Sequence, residues 1–436
     1  MKNLLSFILL FSGLFIKAQT IPTDKVDAFI DYIEQHDRAI GNVSVFKDGK
    51  EIYYRDFGQQ AVPELHTNRD SKYMIGSITK MVTAALILKL IEENKLNLSD
   101  KLSQFYPDMP NAGNITIEQL LGHTSGLGDV NFKNGTVKWL KEKEVGDAAL
   151  LKQIKHQGAL FKPGKDFSYS NSGYYLLGKI LEKKYRKPFP QIVEEQVAAP
   201  LHLQNFISPK NATSGVMHSY KFTEGKWQDM PDFIPENIRA YGDMASTTTD
   251  LNVFATAFFQ YRIITKESVE LMKPKNKSAF GLGIMAVPFY QFMLYGHGGD
   301  TDGSHTLLAY DEKEKLSVAI AIHGDRSIKS DFYIGILNAL YSGTLPYPLF
   351  VADAILNQYE GIYHCKDFPF KMKILNDGGA LYAEGQAKGQ IPFLLKPRSD
   401  TEFYHGNEVK TRFDIANNRM YHTEGGETFE FTKEKK

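Results

Sequence analysis

Apolar positions along the chain switch between a helical and a strand period, and the switches divide it into regions. Val26, Phe29, Ile30 and Ile33 recur at helical spacing and predict a helix over about Asp24 to Gln35. Val43 to Phe46 and Ile52 to Tyr54 then read as a hairpin around Lys47-Asp48-Gly49-Lys50, where Asp-Gly is a strong turn signal. The run Met81 to Ile91 is apolar on nearly every side and predicts a buried helix that ends near Glu93-Asn94. From about 100 to 235 helical patterns alternate with loops and strand signals are sparse, so an all-helical region is expected there. Past Pro235 alternation returns. A helix carries Leu251, Phe254 and Phe258, a strand starts at Phe280 to Met285, and strands cover Thr306 to Tyr310 and Leu316 to Ile322. A helix over about Ser330 to Ala339 closes this part. From about Phe350 short strands and turns, with Tyr382, Phe393, Phe403, Phe413, Tyr421, Phe429 and Phe431, predict a separate small β-barrel-like domain.

The first twenty residues stand apart. Lys2 precedes the apolar run Leu4 to Phe11, and Ala18 is a cleavage position before Gln19, so 1–20 reads as a signal peptide. The run is short for a full membrane span, and no later stretch is long and apolar enough for one. An exported protein, periplasmic or extracellular, is therefore expected. Lys plus Arg and Asp plus Glu are both 51 among 436 residues. The zero net charge argues against a broad basic surface for nucleic acid. Cys365 is the only cysteine, so an internal disulfide is excluded and a cysteine nucleophile built around Ser77 is not expected.

Ser77-Ile78-Thr79-Lys80 opens the buried helix. Residues three apart at a helix start lie on one face, close enough to pass a proton, and the helix N-terminus stabilises a developing anion. A lysine kept from water loses part of its preference for the charged form and can act as a base. Taken alone, Ser77 serves equally well as a helix N-cap. A second copy, Ser44-Val45-Phe46-Lys47, falls in a predicted strand, where positions three apart face opposite sides, and it reads as chance. Leu120 to Leu127 contains His123, which is read as structural in a helix end and turn rather than as a base. Pro163-Gly164 sets a turn before a loop that presents Tyr169, Ser170 and Asn171, ahead of a helix over Tyr174 to Tyr185. Tyr169 can give or take a proton and Asn171 can orient a lysine and a carbonyl, although Asn171 alone reads as a helix cap. His297-Gly298-Gly299 sits at a strand edge where glycines let a ligand approach.

In this order, Ser77-x-x-Lys80, Tyr169-Ser170-Asn171 and His297-Gly298-Gly299 resemble the motifs of the serine β-lactamase and penicillin-binding-protein family. The resemblance is closest to the class C β-lactamase-like branch, which includes D-alanyl-D-alanine carboxypeptidases, D-aminopeptidases and esterases. It covers about 24 to 345 and implies an α+β fold: an antiparallel sheet flanked by helices, with an all-helical insertion at about 100–235. Domains are then expected at 21–345 and 350–436. The resemblance implies catalytic Ser77, Lys80 and Tyr169, with Asn171, His297, Gly298 and Gly299 on the substrate. It places an oxyanion hole at the N–H groups of Ser77 and Asp300, and implies no metal or organic cofactor. The partner is a small-molecule or peptide substrate. The family's small hydroxyl residue after the first residue of the third motif is replaced by Gly298, and Asp300 adds a negative charge. Both features point away from carboxylate-bearing β-lactams and D-Ala ends, toward esters or uncharged amides. The reading from a different class is a non-hydrolytic binder or sensor that keeps the fold.

Overall fold

The computed structural model describes residues 21–131, 139–209, 215–231, 233–275 and 278–434. The segment read as a signal peptide lies outside the described residues. Helix α1 (Thr23–Gln35) leads into the hairpin β1 (Ala39–Lys47) and β2 (Lys50–Phe57). Its turn at Asp48 and Gly49 has both φ angles positive, the conformation that the Asp-Gly pair favours. A two-stranded patch, β3 (Tyr73–Met74) with β6 (Ala245–Ser246), flanks the entry to α2 (Thr79–Glu92). The helical part contains α3 (Ile117–Leu121), α4 (Asp147–Gln157) and α5 (Asn171–Tyr185).

The helical region ends sooner than its pattern predicts. β4 (Ser219–Thr223) and β5 (Lys226–Met230) form a hairpin inside the stretch expected to be all-helical, and β4 joins the main sheet through Tyr220 beside Gly324. The missed signal is Glu224-Gly225, a turn with both φ positive between short alternating runs.

Strands β7 (Met285–Phe289), β8 (Phe292–Asp300), β9 (His305–Asp311) and β10 (Leu316–Asp325) complete an antiparallel sheet in the order β2-β1-β10-β9-β8-β7. Alternation sorts its residues onto two faces. Leu307, Ala309, Val318 and Ile320 pack with α1 and α7 (Lys329–Leu340). Leu308, Tyr310 and Ala319 pack on the other side with α2, α5 and α6 (Thr248–Phe259). The glycine-rich run 295–300, expected to flank a strand, is itself β8. Its pairing with β7 stops at Gly296, so His297 to Asp300 form an edge free of β7 while still paired to β9.

The C-terminal part is a closed barrel of eight strands, β11–β18, from Gly361–His364 to Glu427–Lys433, preceded by a short helix α8 (Asp353–Tyr359). Its interior is filled by Tyr363, Met372, Ile374, Leu381, Leu395, Phe403, Phe413, Met420 and Phe431. A strap pins it to the rest of the chain. Tyr347 meets Phe29 and Tyr32 with ring centroids 5.3 and 5.0 Å away, and Tyr32 donates to Pro348 O at 2.7 Å. Two buried arginines then grip the turn between β12 (Met372–Asp377) and β13 (Ala380–Gly385). Arg38 donates to Gly379 O at 3.0 Å, and Arg326 donates to Gly378 O at 2.6 Å and to both carboxylate oxygens of Asp353 at 2.8 and 2.7 Å. A cavity of about 960 Å³ remains between α7, the strap and the barrel.

Candidate active site

Ser77 lies on a single 3-10 turn, Gly76–Ile78, that runs into α2. Its hydroxyl caps nothing: the residue at the cap of α2 is Ile78, which offers no side-chain bond. The hydroxyl instead receives a hydrogen bond from Lys80 Nζ at 3.0 Å. Two glycines press this turn against β8. A Cβ on Gly299 would come 1.9 Å from Ile75 O, and one on Gly76, at φ +50, would come 2.8 Å from Asp300 N. Gly299 is thus required by the crossing backbone. The same crossing lays Gly76, the residue before Ser77, against the backbone of Asp300; Ser77 and Asp300 are the two positions expected to carry the oxyanion donors.

Lys80 is fully buried. Its Nζ donates to Tyr241 O at 2.8 Å as well as to Ser77, and sits over the rings of Tyr169, Tyr241 and Tyr174 at 4.9, 5.4 and 5.7 Å. Burial disfavours the ammonium and pushes the pKa down to about 7, against a smaller opposing pull from Asp129. The lysine can therefore be a neutral base at ordinary pH. The loop that presents Tyr241 O is fixed by the buried Asp243, which accepts from Ala240 N at 2.7 Å and from Arg239 at 2.8 Å.

Tyr169 lies in the loop before α5. Burial raises its pKa well above the usual value, with the Ser77 hydroxyl a smaller opposing influence, and its Oη has no partner at bonding distance. His123 is the platform beneath it. The rings stack at 4.4 Å and 27°, and His123 Nδ1 accepts from Ser170 N at 3.1 Å. Burial, then the nearby Lys80 and His297, hold His123 well below its ordinary pKa. The structural reading of His123 fits this geometry.

Asn171 corrects two expectations. It is the first residue of α5, and Ser170 is the cap, accepting from Gly173 N at 3.2 Å. Among the described residues its side chain bonds Asp129 and Lys80 bonds Ser77 and Tyr241 O, with no hydrogen bond between the two. Asn171 Nδ2 donates to Asp129 Oδ1 at 3.4 Å and Asn171 N to Asp129 Oδ2 at 2.6 Å. Asp129 was not singled out from the sequence. Nothing in its neighbourhood marks it except that it follows the His-Thr-Ser-Gly turn. Tyr241 is equally silent, because its backbone carbonyl does the work.

His297 Nδ1 lies 2.5 Å from Gly298 O, which can only accept, so Nδ1 carries the proton and Nε2 a lone pair. Burial and the nearby Lys80 lower its pKa to about 4, so the ring is neutral. A Cβ on Gly298 would meet nothing nearer than Thr306 O at 3.7 Å, so a hydroxyl residue fits there and its absence is chemical. Asp300 does not stand as a bare charge. Burial acts to raise its pKa, but His305 and Lys329, each bonded to it at 2.6 Å, hold it at about 2, so it stays ionised with the Lys329 cation against it.

A serine, a buried lysine and a tyrosine converging between a helical region and the edge of an antiparallel sheet define the β-lactamase/transpeptidase class of serine-hydrolase fold. The chain belongs to the Beta-lactamase family, whose model matches residues 26–342. It is 26% identical over 254 residues to the putative penicillin-binding protein PbpX of Bacillus subtilis, a match covering 57% of this chain and 62% of that protein. The chain thus spans less than two thirds of that relative. Among solved structures it resembles D-amino acid amidase from Ochrobactrum anthropi, with TM-score 0.67 and 20% identity, covering 73% of this chain and 99% of the amidase. It also resembles the octameric penicillin-binding protein homologue from Pyrococcus abyssi, with TM-score 0.69 and 23% identity, over 94% of this chain and 99% of the other.

Proposed function

We propose that this chain is an exported serine hydrolase that forms an acyl-enzyme at Ser77 on an ester or uncharged amide. The observation that carries the reading is the Ser77–Lys80 contact at 3.0 Å, with the lysine fully buried and its pKa lowered to about 7. Neutral Lys80 takes the Ser77 proton as Oγ attacks the carbonyl. The tetrahedral oxyanion forms against the N–H groups of Ser77 and Asp300, the kind of donor whose loss costs roughly 10²–10³ in rate. Tyr169, protonated because it is buried, delivers a proton to the leaving group and is reprotonated through Lys80. Water then attacks the acyl-enzyme by the reverse path.

The substrate class follows from the third motif. Neutral His297 and the bare Gly298 offer no fixed cation and no hydroxyl to a substrate carboxylate. Esters and amides without a carboxylate beside the scissile bond fit better than penicillins. The structurally similar amidase makes D-amino-acid amides natural members of the test set. Residues 21–345 form the hydrolase domain and 350–436 the barrel domain in this reading, with 1–20 removed on export. A fluorophosphonate probe with purified mature protein is the test. Labelling at Ser77 and faster turnover of a short p-nitrophenyl ester than of a cephalosporin support the reading. An unlabelled Ser77 supports the non-hydrolytic binder, and a preference for the cephalosporin overturns the substrate class.

A further inference from the structure

We infer that the cavity between α7, the strap and the barrel is a binding site for a long-chain fatty carboxylate: its apolar wall takes the alkyl chain, and the buried Arg38 supplies the counter-charge for the headgroup. Neither Ser77, Lys80, Tyr169 nor His297 lines it, so it stands apart from the chemistry proposed at Ser77.

The cavity encloses about 960 Å³. Small-molecule sites fall in a range of roughly 300–1,000 Å³. α7 lines it through Ile334, the strap through Leu345, Tyr347 and Leu349, and the barrel through Tyr404 on β15 (Glu402–His405). These five side chains are each between 40% and 43% exposed. Large apolar side chains exposed singly are ordinary, but five gathered on one cavity make a patch that fits an apolar ligand. Leu381 and Leu395 continue the wall into the barrel core.

Arg38 lies on the same wall and is only 4% exposed. Of its five N–H donors, one on Nη1 bonds Gly379 O at 3.0 Å and one on Nη2 bonds Val351 O at 3.3 Å, while Nε has no partner. Those two bonds go to neutral carbonyls. They hold the barrel but leave the charge unmatched. No carboxylate forms an ion pair with Arg38 among the described residues. The nearby Asp353 gives both its oxygens to Arg326, and Asp37 lies 3.8 Å from Arg326 as well. Burial, then the neighbouring Arg326, push the pKa of Arg38 down to about 10, so it remains a cation at neutrality. A buried cation without a counter-ion is costly.

The other charges on the wall are accounted for. Lys396 pairs with Asp331 at 2.7 Å and Lys410 with Glu402 at 3.1 Å. Arg398 and Glu408 are both exposed and offset one another. One positive charge in an apolar wall is the balance. It matches a monoanion with an apolar body, and a guanidinium is well suited to a carboxylate.

Binding of cis-parinaric acid, a long-chain carboxylate that fluoresces when shielded from water, tests this on the purified mature protein, with oleate and oleyl alcohol as competitors. The protein should bind the probe, and oleate should displace it at a concentration at least about tenfold lower than the uncharged alcohol. Leu349→Asp places an anion on the exposed apolar wall and should weaken probe binding by about tenfold or more. Arg38→Gln keeps a donor for Gly379 O and removes the cation, so oleate and the alcohol should then compete equally. Absence of probe binding overturns the proposal, and so does binding that Leu349→Asp leaves unchanged, since the probe then sits elsewhere. Equal competition by acid and alcohol in the wild type overturns the role of Arg38. If Arg38→Gln does not fold, the wild-type comparison and Leu349→Asp still decide. A wild type that is dimeric and turns monomeric in Leu349→Asp shows a second copy in the cavity and overturns the proposal too.

Discussion

The molecule contains the same four-residue pattern twice, with opposite results. Ser77 and Lys80 meet at 3.0 Å on a turn of helix, and the lysine has no exposed surface. Ser44 and Lys47 lie on β1, where their side chains part. Ser44 donates to Glu51 at 2.8 Å and accepts from Asn252 at 3.0 Å, as a satisfied core hydroxyl. Lys47 reaches toward Glu314 with its side chain 30% exposed. The residue types are identical, so the chemistry comes from backbone period and burial. A helix puts i and i+3 on one face, and the strand period of two does not. The surrounding α2 and the loop carrying Tyr241 then remove water from one lysine, while the other stays wet.

Breaking each copy in turn sharpens the contrast. Ser77→Ala should reduce turnover by at least about 10³ and abolish covalent labelling, with little change in the thermal midpoint, as expected for a nucleophile in a cooperative set. Mass spectrometry of the labelled protein reads this directly, and Ser44→Ala should label like the wild type. Retained turnover in Ser77→Ala would place the chemistry elsewhere.

Next in size is the proton path. Lys80→Ala and Tyr169→Phe should each lower kcat by about 10²–10⁴, the span usual for general acid–base groups. The double variant should be little worse than the worse single. Losses that simply multiply in steady-state kinetics would argue against a shared relay. Lys47→Ala should leave kcat unchanged.

A smaller effect belongs to substrate choice. His297→Lys with Gly298→Thr should raise the kcat/KM ratio of a carboxylate-bearing substrate to a neutral ester by about tenfold, because a fixed cation and a hydroxyl then face the carboxylate. A Cβ at Gly298 meets nothing nearer than Thr306 O at 3.7 Å. An unchanged ratio would mean that carboxylate affinity is set outside the third motif.

The smallest expected effect is on stability. Ser44→Ala removes the bond to Glu51 and one of the two bonds from Asn252 Nδ2, which keeps Ser44 O at 2.9 Å, and should cost about 1 kcal/mol, while Lys47→Ala, on a partly exposed pair, should stay within about 0.5 kcal/mol. Urea denaturation measures both. Equal costs would mean that burial does not separate the two copies.

The sequence was most readable where one residue's position follows from local period. α1, the β1–β2 hairpin, the nucleophile helix and α7 could all be read from spacing, and the order of three short motifs indicated the family and the sheet-and-helix architecture. Ser77, Lys80, Tyr169 and His297 lie close together in the fold. What could not be read depends on contacts between distant segments. Asp129 joins the site only because α5 folds against it. Tyr241 contributes a carbonyl, which any residue type carries. That Gly299 also makes room for Ile75 O could not be read, because Ile75 is more than two hundred residues away. Asp300 looked like a repelling charge because its partners His305 and Lys329 are five and twenty-nine residues away. The β4–β5 hairpin was hidden because its strands are short and β5 buries none of its residues fully.

Burying Lys80 also ties folding to proton release. In an unfolded chain this lysine holds its proton up to about pH 10.5, and in the folded protein only up to about 7. Between those values the unfolded state carries one more proton, so stability rises with pH across the window. Below pH 7 the full penalty applies, on the order of 5 kcal/mol. That is a large fraction of the stability of a typical domain. The apolar packing around α2 has to offset it, which gives the dense core beside the nucleophile a purpose beyond shape. A pH above neutrality therefore favours both the persistence of the fold and a base already free of its proton.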